Sequence, residues 1–218
     1  MVLENQRKNI DPLLSVIAKR FSKINPNALT WISLIFAFIA GLFFYLSSPE
    51  LELANYYLFG AASFVFLNGL FDAIDGKAAK LANKVSKRGD FLDHAIDRYA
   101  DVFMVGGLAL SSWCDIRIGL LAIVGMLLTS YMGTQAQAIG HKRDYSGLLG
   151  RADRLVLLMV SPFIQHMLIF YNFQMPWGFS LLEWVLIYFA VIGNITAIQR
   201  FYSTLKWFNT NPKGKKSM

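Results

Sequence analysis

The sequence predicts an all-α integral membrane bundle of six transmembrane helices, preceded by a short interfacial amphipathic helix. Three observations lead there. Hydrophobic residues fill 55% of the 218 positions and charged residues only 16%, with a mean hydropathy of +0.42, a balance of membrane proteins rather than of soluble domains. The apolar residues gather into six stretches, each near the ~20 residues that cross a bilayer. Lys and Arg concentrate in alternate connections between those stretches, the pattern of basic loops retained on the cytoplasmic side.

Taken in order, Asp11-Pro12 suits an N-cap followed by proline at the first helical position. Leu13, Leu14, Val16, Ile17 and Phe21 then stand against Lys19 and Arg20, so residues 11–21 read as an amphipathic helix in the interface, part of an interfacial segment 1–25. The first apolar stretch runs from Asn27 to about Ser47 and the second from about Ala54 to Ala82. The third begins near Gly89 and reaches Trp113, and the fourth covers Ile116 to Ile139. The fifth covers Arg154 to Tyr171, and the sixth Phe179 to about Trp207. The second, third and sixth exceed the hydrocarbon layer, so their polar ends project into the cytoplasm.

Arg7, Lys8, Lys19, Arg20 and Lys23 lie before the first stretch, and Lys84, Lys87 and Arg88 follow the second. Lys142, Arg143, Arg151 and Arg154 separate the fourth from the fifth, and Lys213, Lys215 and Lys216 lie in a basic tail, 208–218. The opposite side has only Arg117, with Glu50 and Glu52 in one loop and Met175-Pro176-Trp177 in another. Both termini are therefore expected in the cytoplasm of a multi-pass cell-membrane protein. The net charge of +7 is explained by topology, and no nucleic-acid partner is needed. Cys114 is the single cysteine, which excludes an intrachain disulfide framework. No signal peptide, repeat or second domain stands out, so residues 1–218 read as one membrane domain.

One stretch departs from this apolar plan. Residues 72–97 read Asp-x2-Asp-Gly-x2-Ala-Lys-x8-Gly-x3-Asp-x3-Asp. Spacings of three and four put Asp72 with Asp75, and Asp93 with Asp97, on one face of a helix each. Ionised Asp in apolar surroundings is costly and marks function. Lys77 and Lys80 do not neutralise four carboxylates, whereas hard divalent cations do and keep positions for phosphate. An ion-pair network with Lys80, Lys84 and Arg98 is the plainer alternative, and a cation- or proton-coupled transporter is the alternative from another class. Gly76, Ala79 and Gly89 fall between the acidic pairs, where a ligand or a second helix can approach the backbone.

This pattern resembles the signature of the CDP-alcohol phosphotransferases, integral membrane enzymes of phospholipid synthesis. One position departs, Lys80 where the family has Arg, which keeps the charge but loses the bidentate fork. The resemblance implies transfer of a CDP-linked phosphatidyl group to an alcohol with release of CMP. It implies two divalent ions, Mg²⁺ or Mn²⁺, held by Asp72, Asp75, Asp93 and Asp97, with Asp97 also taking the proton from the attacking hydroxyl. It places Gly76, Ala79, Gly89 and Lys80 at the nucleotide and its phosphates. Ser86 is either a nucleotide contact or an N-cap. Asn27 and Thr30, in Pro26-Asn27-x2-Thr30, are either helix caps or the nucleotide-contacting start of the first span. The resemblance also implies a homodimer.

The acceptor is read from the later spans. Arg151 and Arg154 open the fifth, where free N–H groups and cations together make an anion site, and Arg200 lies inside the sixth, where it needs a partner. With Tyr131, Gln135 and Gln199 these residues resemble the archaetidylinositol phosphate synthases, relatives of the bacterial phosphatidylinositol phosphate synthases. The implied acceptor is inositol phosphate, its phosphate held by Arg151, Arg154, Arg200 and Gln135, and the implied donor is CDP-archaeol or CDP-diacylglycerol. Glycerol 3-phosphate is the alternative acceptor.

Overall fold

The computed structural model describes residues 7–21, 23–50, 54–142, 144–173 and 175–210. Part of the interfacial segment (1–6), Glu52, Arg143 and the tail with Lys213, Lys215 and Lys216 lie outside the described residues. Among the described residues the chain is all helical: α1 (Arg7–Phe21), α2 (Pro26–Leu46), α3 (Ala54–Leu81), α4 (Lys87–Ala109), α5 (Ile116–Ala138), α6 (Arg151–Phe170) and α7 (Leu181–Thr210), with one 3₁₀ turn at Pro176–Gly178. The ends follow local chemistry. Asn25 caps α2 by accepting from Asn27 N–H at 3.1 Å, and Pro26 takes the first turn, where its missing N–H costs nothing. Ser86 caps α4, accepting from Gly89 N–H at 3.1 Å, and Asp115 caps α5.

Five of these helices, α2, α3, α5, α6 and α7, are long and apolar enough to cross a membrane. The stretch predicted from Gly89 to Trp113 forms α4, but Asp90, Asp93, Asp97, Arg98 and Asp101 in its first half hold it below that apolarity. The first helix also differs from expectation. It begins at Arg7, so Pro12 lies inside it rather than at its start. Asp11 forms an ion pair with Lys77 of α3 at 2.5 Å instead of capping, while Ala18, Ile17 and Phe21 pack on Ile74, Leu70 and Phe71.

The bundle has two halves. In the first, α2 packs on α3 and α4; in the second, α5 packs on α7; α6 bridges to α3. Phe44, Leu58, Met104, Leu108, Met126, Leu158 and Phe189 are fully buried along the shared core. Two polar side chains inside it donate to main-chain oxygens of neighbouring helices: Asn68 to Ser33 O at 2.9 Å and Thr129 Oγ1 to Gly193 O at 2.8 Å. At the end away from the acidic stretch, Trp113 Nε1 donates to Ser47 Oγ at 2.8 Å and Asp115 N–H to Glu183 Oε1 at 3.0 Å.

Within the first half α2 and α4 touch backbone to backbone. A Cβ on Gly107 would run into the Gly41 main chain, and one on Gly41 into Phe103 O. Because main chain cannot step aside as a side chain can, Gly107→Val should destabilise at or above the usual ~1–3 kcal/mol of overpacking. A Gly107→Val protein melting within a degree of wild type in detergent would show that the two helices separate freely.

Candidate active site

The acidic stretch closes on itself at one end of the bundle. The last turns of α3 present Asp72 and Asp75, and α4, started by the Ser86 cap, presents Asp93 and Asp97. One carboxylate oxygen from each of Asp72, Asp93 and Asp97 lies within 4.8 Å of the other two. Asp75 is buried beside them, and its Oδ2 accepts from Thr30 Oγ1 at 2.6 Å.

The neutralising charges come from the other half. Gly150 N–H donates to Asp153 Oδ2 at 2.9 Å, which fixes the first turn of α6 and supplies a negative charge where the helix dipole favours one. Arg151 Nη1 then donates to Asp72 Oδ2 at 2.7 Å and stands 2.7 Å from Asp97 Oδ1. Arg154, 2% exposed, donates from Nη2 to Asp101 Oδ2 at 2.6 Å. Arg200 donates to Thr129 O at 2.7 Å and to Ser146 O at 2.8 Å, tying α7 to α5 and to the 144–150 loop. Gly133 makes that approach possible, since a Cβ there would meet Asp144 O at 2.8 Å and Arg200 Nη1 at 3.0 Å. Gly147 turns the loop at φ 111°, with Thr196 against the place a Cβ would take. Partial burial alone would raise the Asp144 pKa, but hydrogen bonds from Ser146 outweigh it and hold this carboxyl below its usual range.

A cavity of about 510 Å³ is lined by both sets: Asp72, Asp75, Asp93 and Asp97 together with Arg151, Arg154 and Arg200. Gly76 lines it too. Thr30 joins through Asp75. Asn27 lies at a separate cavity of about 460 Å³ with Asn25, Trp31, Arg88 and Phe91, and a Cβ on Gly89 would stand 3.6 Å from Asn27 Oδ1. That brings Asn27, Ser86 and Gly89 together at the start of α2 and α4. Ala79 is half-buried in the last turns of α3, and Lys80 beside it is exposed; Gln135 is exposed near the end of α5. None of these three lines the acidic cavity. Sequence reasoning gave no weight to His94 or Tyr145, which line it, and no site role to Asp101, which receives Arg154. Asp101 continues the four-residue spacing from Asp97, which is the signal for it; Tyr145 has none.

The donor set fits a hard divalent cation. It is all carboxylate oxygen, it comes from separate residues, and Asp97 Oδ1 is buried yet accepts no hydrogen bond. Acidic oxygens and guanidiniums lining one cavity suit a phosphate-containing substrate held between a cation and the arginines.

The family model for CDP-alcohol phosphatidyltransferases matches residues 23–196. The chain belongs to that family. It is therefore a phosphatidyltransferase, a transferase of phospholipid biosynthesis, and the transporter reading falls away. Among curated relatives, the archaetidylinositol phosphate synthase of Pyrococcus horikoshii is 28% identical over 94% of this chain and 97% of its own length. The phosphatidylinositol phosphate synthase of Cutibacterium acnes is 26% identical over 88% of this chain and 90% of its own. In fold, this CDP-alcohol phosphatidyltransferase is similar to the Mycobacterium tuberculosis phosphatidylinositol phosphate synthase. The structure of that enzyme with CDP-DAG bound gives a TM-score of 0.71 at 22% identity, covering 95% of this chain and 98% of that one. Its complex with manganese and citrate gives 0.70 at 22% identity, covering 94% and 93%.

Proposed function

We propose that this CDP-alcohol phosphatidyltransferase joins the phosphatidyl group of CDP-archaeol or CDP-diacylglycerol to inositol phosphate and releases CMP. The observation that carries the reading is one cavity lined both by Asp72, Asp75, Asp93 and Asp97 and by Arg151, Arg154 and Arg200. Relatives named for inositol phosphate products support the acceptor. In this reading α4 is the sixth crossing, its acidic turns shielded by α3 and α6, and α1 lies in the interface. Lys and Arg placement puts both termini and the site on the cytoplasmic side, and the chain acts as a homodimer in one membrane domain.

Asp72, Asp75, Asp93 and Asp97 hold two divalent ions, Mg²⁺ or Mn²⁺, which neutralise the pyrophosphate and the charge that develops as CMP leaves. Asn27, Thr30, Ser86 and Gly89 shape the approach of the CDP-lipid, Gly76 and Ala79 leave room for it, and Lys80 adds a point charge. Asp97 accepts the proton of the attacking hydroxyl as its oxygen bonds to the lipid-linked phosphorus and the P–O bond to CMP breaks. Arg154 Nε is buried without a hydrogen-bond partner, and with Arg151 and Arg200 it holds the acceptor phosphate; Gln135 serves the same end from the rim. A phosphomonoester carries nearly two negative charges at neutral pH, which suits three guanidiniums and leaves little for an uncharged alcohol.

CMP release is the test. Inositol phosphate should support it while free inositol does not, and Arg154→Gln should raise the acceptor KM by about tenfold or more, the loss of one charge-assisted hydrogen bond. Faster reaction with glycerol 3-phosphate would keep the phosphate site and overturn the inositol assignment; equal reaction with free inositol would remove the phosphate site. Lys80→Arg should be tolerated and Lys80→Met should weaken CDP-lipid binding, which a binding isotherm measures directly.

A further inference from the structure

Arg151 stands where a cation is required. Its Nη1 donates to Asp72 Oδ2 and lies 2.7 Å from Asp97 Oδ1, so one guanidinium nitrogen stands between two of the three carboxylates that converge. The match is incomplete. Asp97 Oδ1 is approached by Arg151 without the alignment of a hydrogen bond and is left buried with its lone pairs unused. Arg151 Nε is also buried without a hydrogen-bond partner, 3.6 Å from Asp101 Oδ1. Asp93, the third carboxylate, lies 3.6 Å from His94 Nδ1 instead. Arg154 differs: one of its amino groups is committed to Asp101 at 2.6 Å, outside the convergent set.

We infer that Arg151 is an internal counter-cation, which competes with the divalent ion for Asp72 and Asp97 and is released toward Arg154 and Arg200 when the ion binds. This rests on the reading of the acidic cluster as a metal centre. Without any cation the clustered carboxylates repel one another in a partly buried site, and one guanidinium offsets part of that. A divalent ion sharing the same oxygens would face a positive group only a few ångströms away, so both cannot keep their places. The released guanidinium has somewhere to go, because Asp101 is already within 3.6 Å of its Nε and Arg154 and Arg200 line the same cavity. Binding of the ion then raises the affinity of the cavity for an anionic acceptor, and by linkage the acceptor tightens the ion.

Mn²⁺ binding to the full-length protein in nanodiscs, followed by titration calorimetry, decides this alongside thermal unfolding with and without Mn²⁺. Arg151→Gln should bind Mn²⁺ at least about tenfold more tightly than wild type, equivalent to about 1.4 kcal/mol. Without metal it should melt below wild type, and saturation with Mn²⁺ should close that gap. Arg151→Lys keeps a charge but is shorter and loses the Nε that faces Asp101, so its affinity should fall between the two; if the Gln variant does not fold, a several-fold gain in the Lys variant supports the inference and an unchanged affinity overturns it. Equal or weaker Mn²⁺ binding by Arg151→Gln, with wild-type binding intact, overturns the inference and leaves the metal centre standing. Absence of Mn²⁺ binding in all three proteins overturns both.

Discussion

Asp93→Asn is expected to leave CMP release at least about 10³-fold below wild type in a protein that still folds. The three converging carboxylates come from Asp72, Asp93 and Asp97, and Asn offers a neutral oxygen in place of a charged ligand. Loss of about 4 kcal/mol of charge stabilisation in the transition state corresponds to about 10³ in rate. Asp93 is the informative choice because Asp72 and Asp97 also contact Arg151, so changing either of them disturbs an ion pair between the halves as well. Its own close neighbour, His94 at 3.6 Å, is within α4. Size-exclusion and circular dichroism profiles should therefore match wild type while activity is lost. Turnover within tenfold of wild type, or full turnover after EDTA treatment, would remove the metal from the mechanism.

Asp97→Asn should lower turnover by about 10² to 10⁴, the range for loss of a general base, while CDP-lipid affinity changes less. Asp97 is buried and lines the same cavity as the arginines, so its carboxylate can meet a hydroxyl there. Asp101 is the competing base, but it is 2% exposed and already receives Arg154 at 2.6 Å, which ties up the lone pairs a base must offer. Steady-state CMP release, set beside a CDP-lipid binding isotherm, separates the two quantities. Near-normal turnover in Asp97→Asn, with loss in Asp101→Asn, would move the proton to Asp101.

The helices were legible because membrane spans are written locally. Asn25-Pro26, Ser86 and Asp115 mark starts that the capping hydrogen bonds realise, and the apolar runs set the lengths between them. Asp72 and Asp93 were legible because each pair's spacing is a property of one helix. Pro12 misled the reading of α1: Asp-Pro is a start signal on its own, but Lys77 of α3 draws Asp11 into a helix that begins at Arg7. The pairing across the cavity was not legible at all. Arg151 reaches Asp72 across 79 residues, and no local spacing encodes which carboxylate a guanidinium will meet once α6 packs on α3. Arg200 makes the same point, since it donates to the main-chain oxygens of Thr129 and Ser146, and main chain leaves no mark in sequence.

The meeting of an acidic half with a basic half has an evolutionary consequence. Everything proposed to handle the activated donor is carried before residue 110 and everything proposed to grip the attacking alcohol after residue 128, with Arg151 of α6 touching both sets. A lineage can then change its alcohol by altering α5, α7 and the residues of α6 other than Arg151, so new headgroup chemistries are reachable through intermediates that still break the pyrophosphate.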